Sequence, residues 1–375
     1  MRTWFVVGAL TFVAVLLVLS FASTPTVEAG QLPHSGYKVL APLTSGNLTI
    51  FPVVASSAHN TSMFLTLDEG LRSGEVVVTE AGSVQPLVRG PAHSRPYNGS
   101  AQVNTLVLVN NSKRPLLLLA GEIVTGGKQD RVIGKDRIIP PESEPVDLGV
   151  FCVEPGRWVA KSENFGGFSN LAQPSVRANA MSKKDQQQVW DAVNESKDKV
   201  ARNLPAAAPQ VNGTSSYATA MGGPVVAREY AKITAPLEKD YRSLIRDLKD
   251  RNAVGVVVAV NGEILWADIF ASPDLLDRYW QKLVRSYAAE AISAGYGHGK
   301  VTDAEAQAFV DKLQGRHESA ETEPGVYRHA EITGEDYKVF ELTSLLPKTD
   351  FEVHIAKMYE EPKVGRMYRP APLQR

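Results

Sequence analysis

The chain has 375 residues, 43% of them hydrophobic and 22% charged, and a formal net charge of −1. Lysine plus arginine stand at 40 against 41 for aspartate plus glutamate, a balance that argues against general nucleic-acid affinity and against docking on an anionic membrane face. Cys152 is the only cysteine, so no intramolecular disulfide can form and core burial must hold the body together, which it can at this length.

The N-terminus carries one early cation, Arg2, then an apolar run from Trp4 to Ala22, then the small-residue sequence Val27-Glu28-Ala29. That order predicts a signal peptide over residues 1–29, cleaved after Ala29, and an exported protein, periplasmic or extracellular. An uncleaved N-terminal membrane anchor is the alternative, because the run approaches the length of a membrane span. Gly30 rather than cysteine follows the cleavage point, so no lipid anchor is indicated.

From Tyr37 to Val150, short apolar runs are cut by Gly, Pro, Asn and Ser, the pattern of an antiparallel β region. VNTLVLV and RPLLLLAGEIV, joined by Asn110-Asn111-Ser112-Lys113, read as a hairpin, and Thr66 to Arg72 as a short helix. After Trp158 a Gly, Ser, Asn and Pro-rich passage, GGFSNLAQPSV, leads into a helix from about Lys183 to Arg202. Residues 204–224, with PAAAPQVNGTSS and MGGP, read as a flexible loop or linker.

Val225 to Arg251 has apolar residues at three and four residue steps and predicts an amphipathic helix interrupted by Pro236. AVGVVVAVNGEILWADIF is a hairpin around Asn261-Gly262, and Ser272-Pro273-Asp274 opens a helix running to Ala294. Thr302-Asp303-Ala304-Glu305 is a capping box for a further helix, and Tyr337 to Leu342 and Phe351 to Met358 are closing strands. The expectation is an α+β fold: a β-rich subdomain over 30–203, the linker, a helix-rich subdomain with a hairpin over 225–362, and a basic tail over 363–375.

GEIVTGGKQDRVI, FCVEPGRW, QQQVWDAV (Gln186 to Val193), NGEILWADIF and the run Arg285-Ser286-Tyr287-Ala288 together resemble a bacterial family named for association with ADP-ribosylglycohydrolases and rhodanese-phosphatases. The resemblance covers Ala41 to Glu360. It implies the handling of nucleotide-derived compounds such as ADP-ribose or related phosphates, with no established reaction.

The stretch from Ala120 to Pro141, with FCVEPGRW after it, crowds glycines, charges and the cysteine between strand-like runs. Gly126 and Gly127 can turn the chain so that backbone N–H groups point at an anion, with Lys128 and Arg131 adding charge, Gln129 fixing orientation, and Arg157 clamping a phosphate or carboxylate beside Trp158. Glu122 and Glu154 are the candidate catalytic carboxylates; Glu122 reads more readily as a structural carboxylate, exposed at a strand end or paired with Arg131 or Arg157, and Glu154 with Arg157 as a salt-bridged turn or two walls of an anion site. A phosphate-binding P-loop is excluded, since Lys128 falls one place late and Gln129 stands where a hydroxyl is needed.

Cys152 in Val150-Phe151-Cys152-Val153 is a nucleophile candidate or a small core residue. Among the histidines, His317 and His329 stand near Glu318, Glu321 and Glu323, which read as solvated charge rather than a metal site. Trp158, Trp190, Trp266 and Trp280 could stack a base or pack the core. No cofactor is legible. The leading expectation is binding, with hydrolysis as a further step, of a small anionic ligand; the alternative is a non-catalytic envelope protein whose polar cluster is an internal brace.

Overall fold

Glycine and asparagine at left-handed turn positions, and hydroxyl residues at helix starts, set several of the element boundaries. The computed structural model describes residues 36–81, 104–157, 159, 161–162, 164–247, 252–297 and 299–360, without the side chains of 169, 240 and 242–247. The expected signal peptide, Trp158, His93, His298, the tail at 363–375 and the side chains of Leu244, Ile245 and Leu248 lie outside the described residues.

In chain order the first elements are β1 (Tyr37–Val39), β2 (Leu43–Ser45), β3 (Leu48–Ala55), β4 (Leu65–Thr66), α1 (Leu67–Ser73), β5 (Val76–Glu80), β6 (Thr105–Asn110), β7 (Leu116–Leu118), β8 (Glu122–Gly126), β9 (Arg131–Ile133), β10 (Arg137–Ile139), β11 (Val146–Cys152) and β12 (Phe165–Leu171). Helices follow: α2 (Pro174–Ala178), α3 (Gln186–Asn203), α4 (Ala208–Asn212), α5 (Tyr217–Met221) and α6 (Pro224–Asp247). The chain closes with β13 (Ala253–Val260), β14 (Glu263–Phe270), α7 (Pro273–Ala294), α8 (Asp303–Asp311), β15 (His317–Glu323), β16 (Tyr327–Thr333), β17 (Tyr337–Ser344) and β18 (Phe351–Tyr359). This is the α+β mixture expected.

A 9-stranded sheet runs β1-β3-β13-β14-β18-β17-β16-β15, with β2 also on β3. Strands from both ends of the chain therefore share one sheet. Its face toward α3, α6 and α7 carries Ile50, Val256, Trp266, Phe340 and Ala356 into the largest core, and its other face carries Phe51, Val257, Ile269 and Ile355 against α8. A 6-stranded sheet, β12-β8-β9-β11-β6-β5, and a 3-stranded one, β10-β7-β4, form the remainder. The smaller sheet is the middle layer, with Leu116, Leu118 and Ile139 facing the 6-stranded sheet and Leu117 and Ile138 facing the main core.

Local chemistry accounts for the elements. Asn261 at φ 54° and Gly262 at φ 79° make the β13–β14 turn left-handed at both positions, which suits a two-residue hairpin. Ser272 accepts from the Leu275 amide ahead of Pro273 to start α7, and Thr302 and Glu305 close their capping box on α8.

Several expectations change. β6 and β7 do not pair as a hairpin: β6 lies between β5 and β11, while β7 lies between β4 and β10. The Asn110 side chain redirects the chain there, donating to the carbonyls of Arg114 and Pro140 at 2.9 Å each. Residues 204–224, expected as a flexible passage, hold α4 and α5, and Ala207, Val211, Tyr217 and Met221 enter the main core. His317 and His329 lie on the paired strands β15 and β16. β15 is an edge strand whose polar residues face water, so it has no alternating pattern to find.

Candidate functional site

β8 runs into the glycine turn, where Gly126 at φ 129° and Gly127 at φ 47° occupy conformations that side chains resist. A Cβ on Gly127 would lie 2.2 Å from the Phe165 ring. The amides of this turn all meet acceptors of the chain: Gly126 donates to Asp130 Oδ1 at 3.0 Å, Gly127 to Ser162 Oγ at 3.2 Å, and Lys128 to Glu80 Oε1 at 2.9 Å. Its carbonyls are also met. Arg157 donates to Gly127 O at 2.9 Å and to Gly126 O at 3.3 Å.

The candidate residues around the turn come together, locked onto one another. Arg157 Nη2 donates to Glu154 Oε2 at 2.6 Å, Lys161 reaches Glu154 Oε1 at 3.2 Å, and Gln129 Nε2 donates to Glu154 O at 3.0 Å. The Asp130 amide donates to the same Glu154 carboxylate, and Ser216 donates to Asp130 Oδ2 at 2.7 Å. Burial works against the Glu154 charge, but the Arg157 hydrogen bond and the other donors hold its carboxyl below the usual range. Arg131 is wholly buried, its guanidinium 3.9 Å from Glu80 Oε1, and desolvation pulls it below the ordinary arginine value.

Glu122 does not join this group, and its partner is neither Arg131 nor Arg157. It sits one strand length away, fully buried, with Oε1 at 3.1 Å from Lys282 of α7 and Oε2 accepting from the Leu119 amide at 3.0 Å. Asp68 stands at 2.7 Å on the other side of Lys282. Burial lifts the Glu122 carboxyl, and the Lys282 ammonium opposes that shift. Cys152 lies in β11 facing the interior. Burial pushes its thiol up to about 11, and Gln186 brackets its backbone, accepting from Cys152 N at 2.8 Å and donating to Cys152 O at 3.0 Å.

A deeper constellation escaped the sequence reading. Arg177 on α2 donates to both oxygens of Asp268 on β14 at 3.0 Å, and Tyr287 of α7 donates to Asp268 Oδ2. His354 on β18 bridges Asp268, at 3.2 Å from Nε2, and Asp136, at 2.6 Å from Nδ1. Asp136 also accepts from the Ala120 amide, and Arg177 Nε donates to Ala120 O. Arg177, Asp268, His354 and Asp136 are all at 0% exposure. Burial opposes protonation of His354, yet the Asp136 charge and hydrogen bond and the Asp268 bond raise it to about 9. Below that pH it is an imidazolium between two carboxylates, and with Arg177 the four charges then sum to zero.

Among the described residues no three His, Cys, Asp or Glu side chains gather as metal ligands would. Nor is any described helix long and apolar enough to cross a membrane.

Residues 36–356 match the model of the ARG and Rhodanese-Phosphatase-superfamily-associated Protein domain. The chain belongs to this family. No curated protein matches it, and no solved structure does. The ARG and Rhodanese-Phosphatase-superfamily-associated domain thus includes the glycine turn, the Glu122–Lys282 pair and the central Arg177–Asp268–His354–Asp136 network.

Within this ARG and Rhodanese-Phosphatase-superfamily-associated domain the motifs that carried the resemblance have structural partners. NGEILWADIF supplies Asp268, and Trp266 lies beneath the Arg177 guanidinium at 4.5 Å. Arg285-Ser286-Tyr287-Ala288 supplies Tyr287 and also Ser286, whose hydroxyl donates to Ala172 O at 2.7 Å. The signal for the missed residues was one charge inside an apolar strand, as in Trp266-Ala267-Asp268-Ile269-Phe270 and Val353-His354-Ile355.

Proposed function

We propose that the cluster around the glycine turn is an internal brace and that the protein is a non-catalytic component of the cell envelope, working through its surface. The single observation carrying this is the use of Arg157: its Nη1 and Nη2 donors go to Glu154, Gly126 O, Gly127 O and Val159 O, groups of the chain itself. A guanidinium so engaged stabilises the turn it spans. The envelope location rests on the N-terminal sequence.

Removing a bracing arginine strands the buried Glu154 and Asp130, so Arg157→Ala should lower the melting temperature clearly. ADP-ribose, nucleotides and sugar phosphates should leave the wild-type melting temperature unchanged. A ligand-dependent rise that Arg157→Ala abolishes, with no loss of stability in that variant, would overturn the brace.

Binding of a small anionic ligand, nucleotide-derived or phosphorylated, is the second reading. It is favoured by Lys161, whose side chain is 51% exposed beside Arg157 and so leaves a cation at the rim of the turn. The family name supports the same ligand class. Hydrolysis would need Glu122 or Glu154 to position water, and both carboxylates are engaged by lysine or arginine partners.

A further inference from the structure

α8 is a nine-residue helix seated on the face of the large sheet away from the other helices, with Ala306, Phe309, Val310 and, just past its end, Leu313 packed among Phe51, Val257 and Ile355. It is tied at both margins. Gln307 accepts from Val39 N at 2.7 Å and donates to Tyr37 O at 3.1 Å, so it binds the backbone of β1. At the other margin Lys357 of β18 donates to Phe309 O and Lys312 O, the carbonyls at the C-terminal end of α8.

Lys357 is 1% exposed, with the Phe309 ring at 4.3 Å and the Tyr337 ring at 3.9 Å from its nitrogen. Among the described residues no carboxylate pairs with it. The charged groups facing it are Asp311 of α8, Lys312 directly after that helix, and Asp336 from the turn before β17. A neutral amine has two N–H groups for two carbonyls. Protonation adds a third N–H and a buried charge, which ring faces and helix-end carbonyls offset only in part.

We propose that Lys357 is a protonation-controlled latch: the neutral amine holds α8 on the sheet, and uptake of a proton from solvent loosens it. Desolvation, helped by Lys312 and opposed by Asp336 and Asp311, pulls the amine down to about 7. With α8 lifted, Lys357 returns to the ordinary lysine value of 10.5. The open form then binds more protons than the closed form between those values, so closure strengthens as pH rises, by up to about tenfold per unit, and levels off below 7.

Hydrogen exchange on the full chain at several pH values from neutral to 9, corrected for intrinsic rates, tests this at the α8 amides, with β13 as reference. Opening of α8 should become up to about tenfold rarer per pH unit in the wild type. Lys357→Met should show no such slope, and Lys357→Arg should leave α8 loose throughout. A wild-type slope equal to that of Lys357→Met, or full protection in Lys357→Arg, overturns the latch. An NMR titration of the Lys357 side chain in the wild type decides independently of any variant: a midpoint near neutrality supports the proposal, and an ordinary lysine midpoint ends it.

Discussion

Arg177 and Asp268 meet as a bidentate pair joining α2 to β14, with two hydrogen bonds of 3.0 Å and neither side chain reaching solvent. Such a pair is held by geometry and further donors, since desolvation alone would disfavour it. Arg177→Met leaves Asp268 with His354 and Tyr287 but removes the compensating charge. It should cost about 3–5 kcal/mol in urea unfolding, and combining it with Asp268→Leu should cost less than the sum of the two single changes. Strict additivity would mean that the two side chains are not coupled.

His354 sets a pH dependence. Its folded value of about 9 exceeds the ordinary 6.5, so its stabilisation is complete below 6.5 and is lost as pH rises from there to about 9. The size is on the order of 3 kcal/mol. Asp136 and Asp268, held below the ordinary carboxylate value by His354 and by Arg177 respectively against burial, add stability that is lost as pH falls through the acid range. Lys357 works in the opposite sense above neutrality, so the measurement is a pair of stability profiles, wild type against His354→Gln. Their difference should shrink between pH 6.5 and 9.

Gly127 combines a left-handed φ of 47° with the Phe165 ring 2.2 Å from where a Cβ would be. Gly127→Ala should therefore destabilise by about 1–3 kcal/mol in thermal or chemical unfolding. An alanine tolerated without loss would show that the turn relaxes freely.

Cys152 has a thiol raised to about 11 by burial and a backbone held by Gln186. In the native protein at pH 8 it should react with a thiol reagent far more slowly than after unfolding in denaturant. Equal rates in the two states would mean that β11 opens easily.

The residues that announced themselves in sequence were those whose chemistry is local. Ser272-Pro273, Thr302 with Glu305, and Asn261-Gly262 each fix an element through neighbours a few positions away. The glycine turn was legible for the same reason, and the residues grouped around Gly126 and Gly127 did gather. What those residues face was not legible, because Glu80, Ser162 and Ser216 come from distant strands and loops. Lys282, the partner of Glu122, lies 160 positions away on α7. β15 was missed because an edge strand with the sequence HESAETE needs no apolar face.

β3 pairs along its length with β13, so its partner is made roughly two hundred residues later and its neighbour on that side cannot form before then. Until α8 arrives, later still, Phe51 and Val53 have no second layer to meet. In a nascent or threading chain the large sheet therefore stays open for most of synthesis, and the last third of the polypeptide completes the first. Shortened forms ending before β13 would leave one edge of β3 without a partner strand, the other being held by β1 and β2, and refolding should be slow, limited by the search for that long-range register.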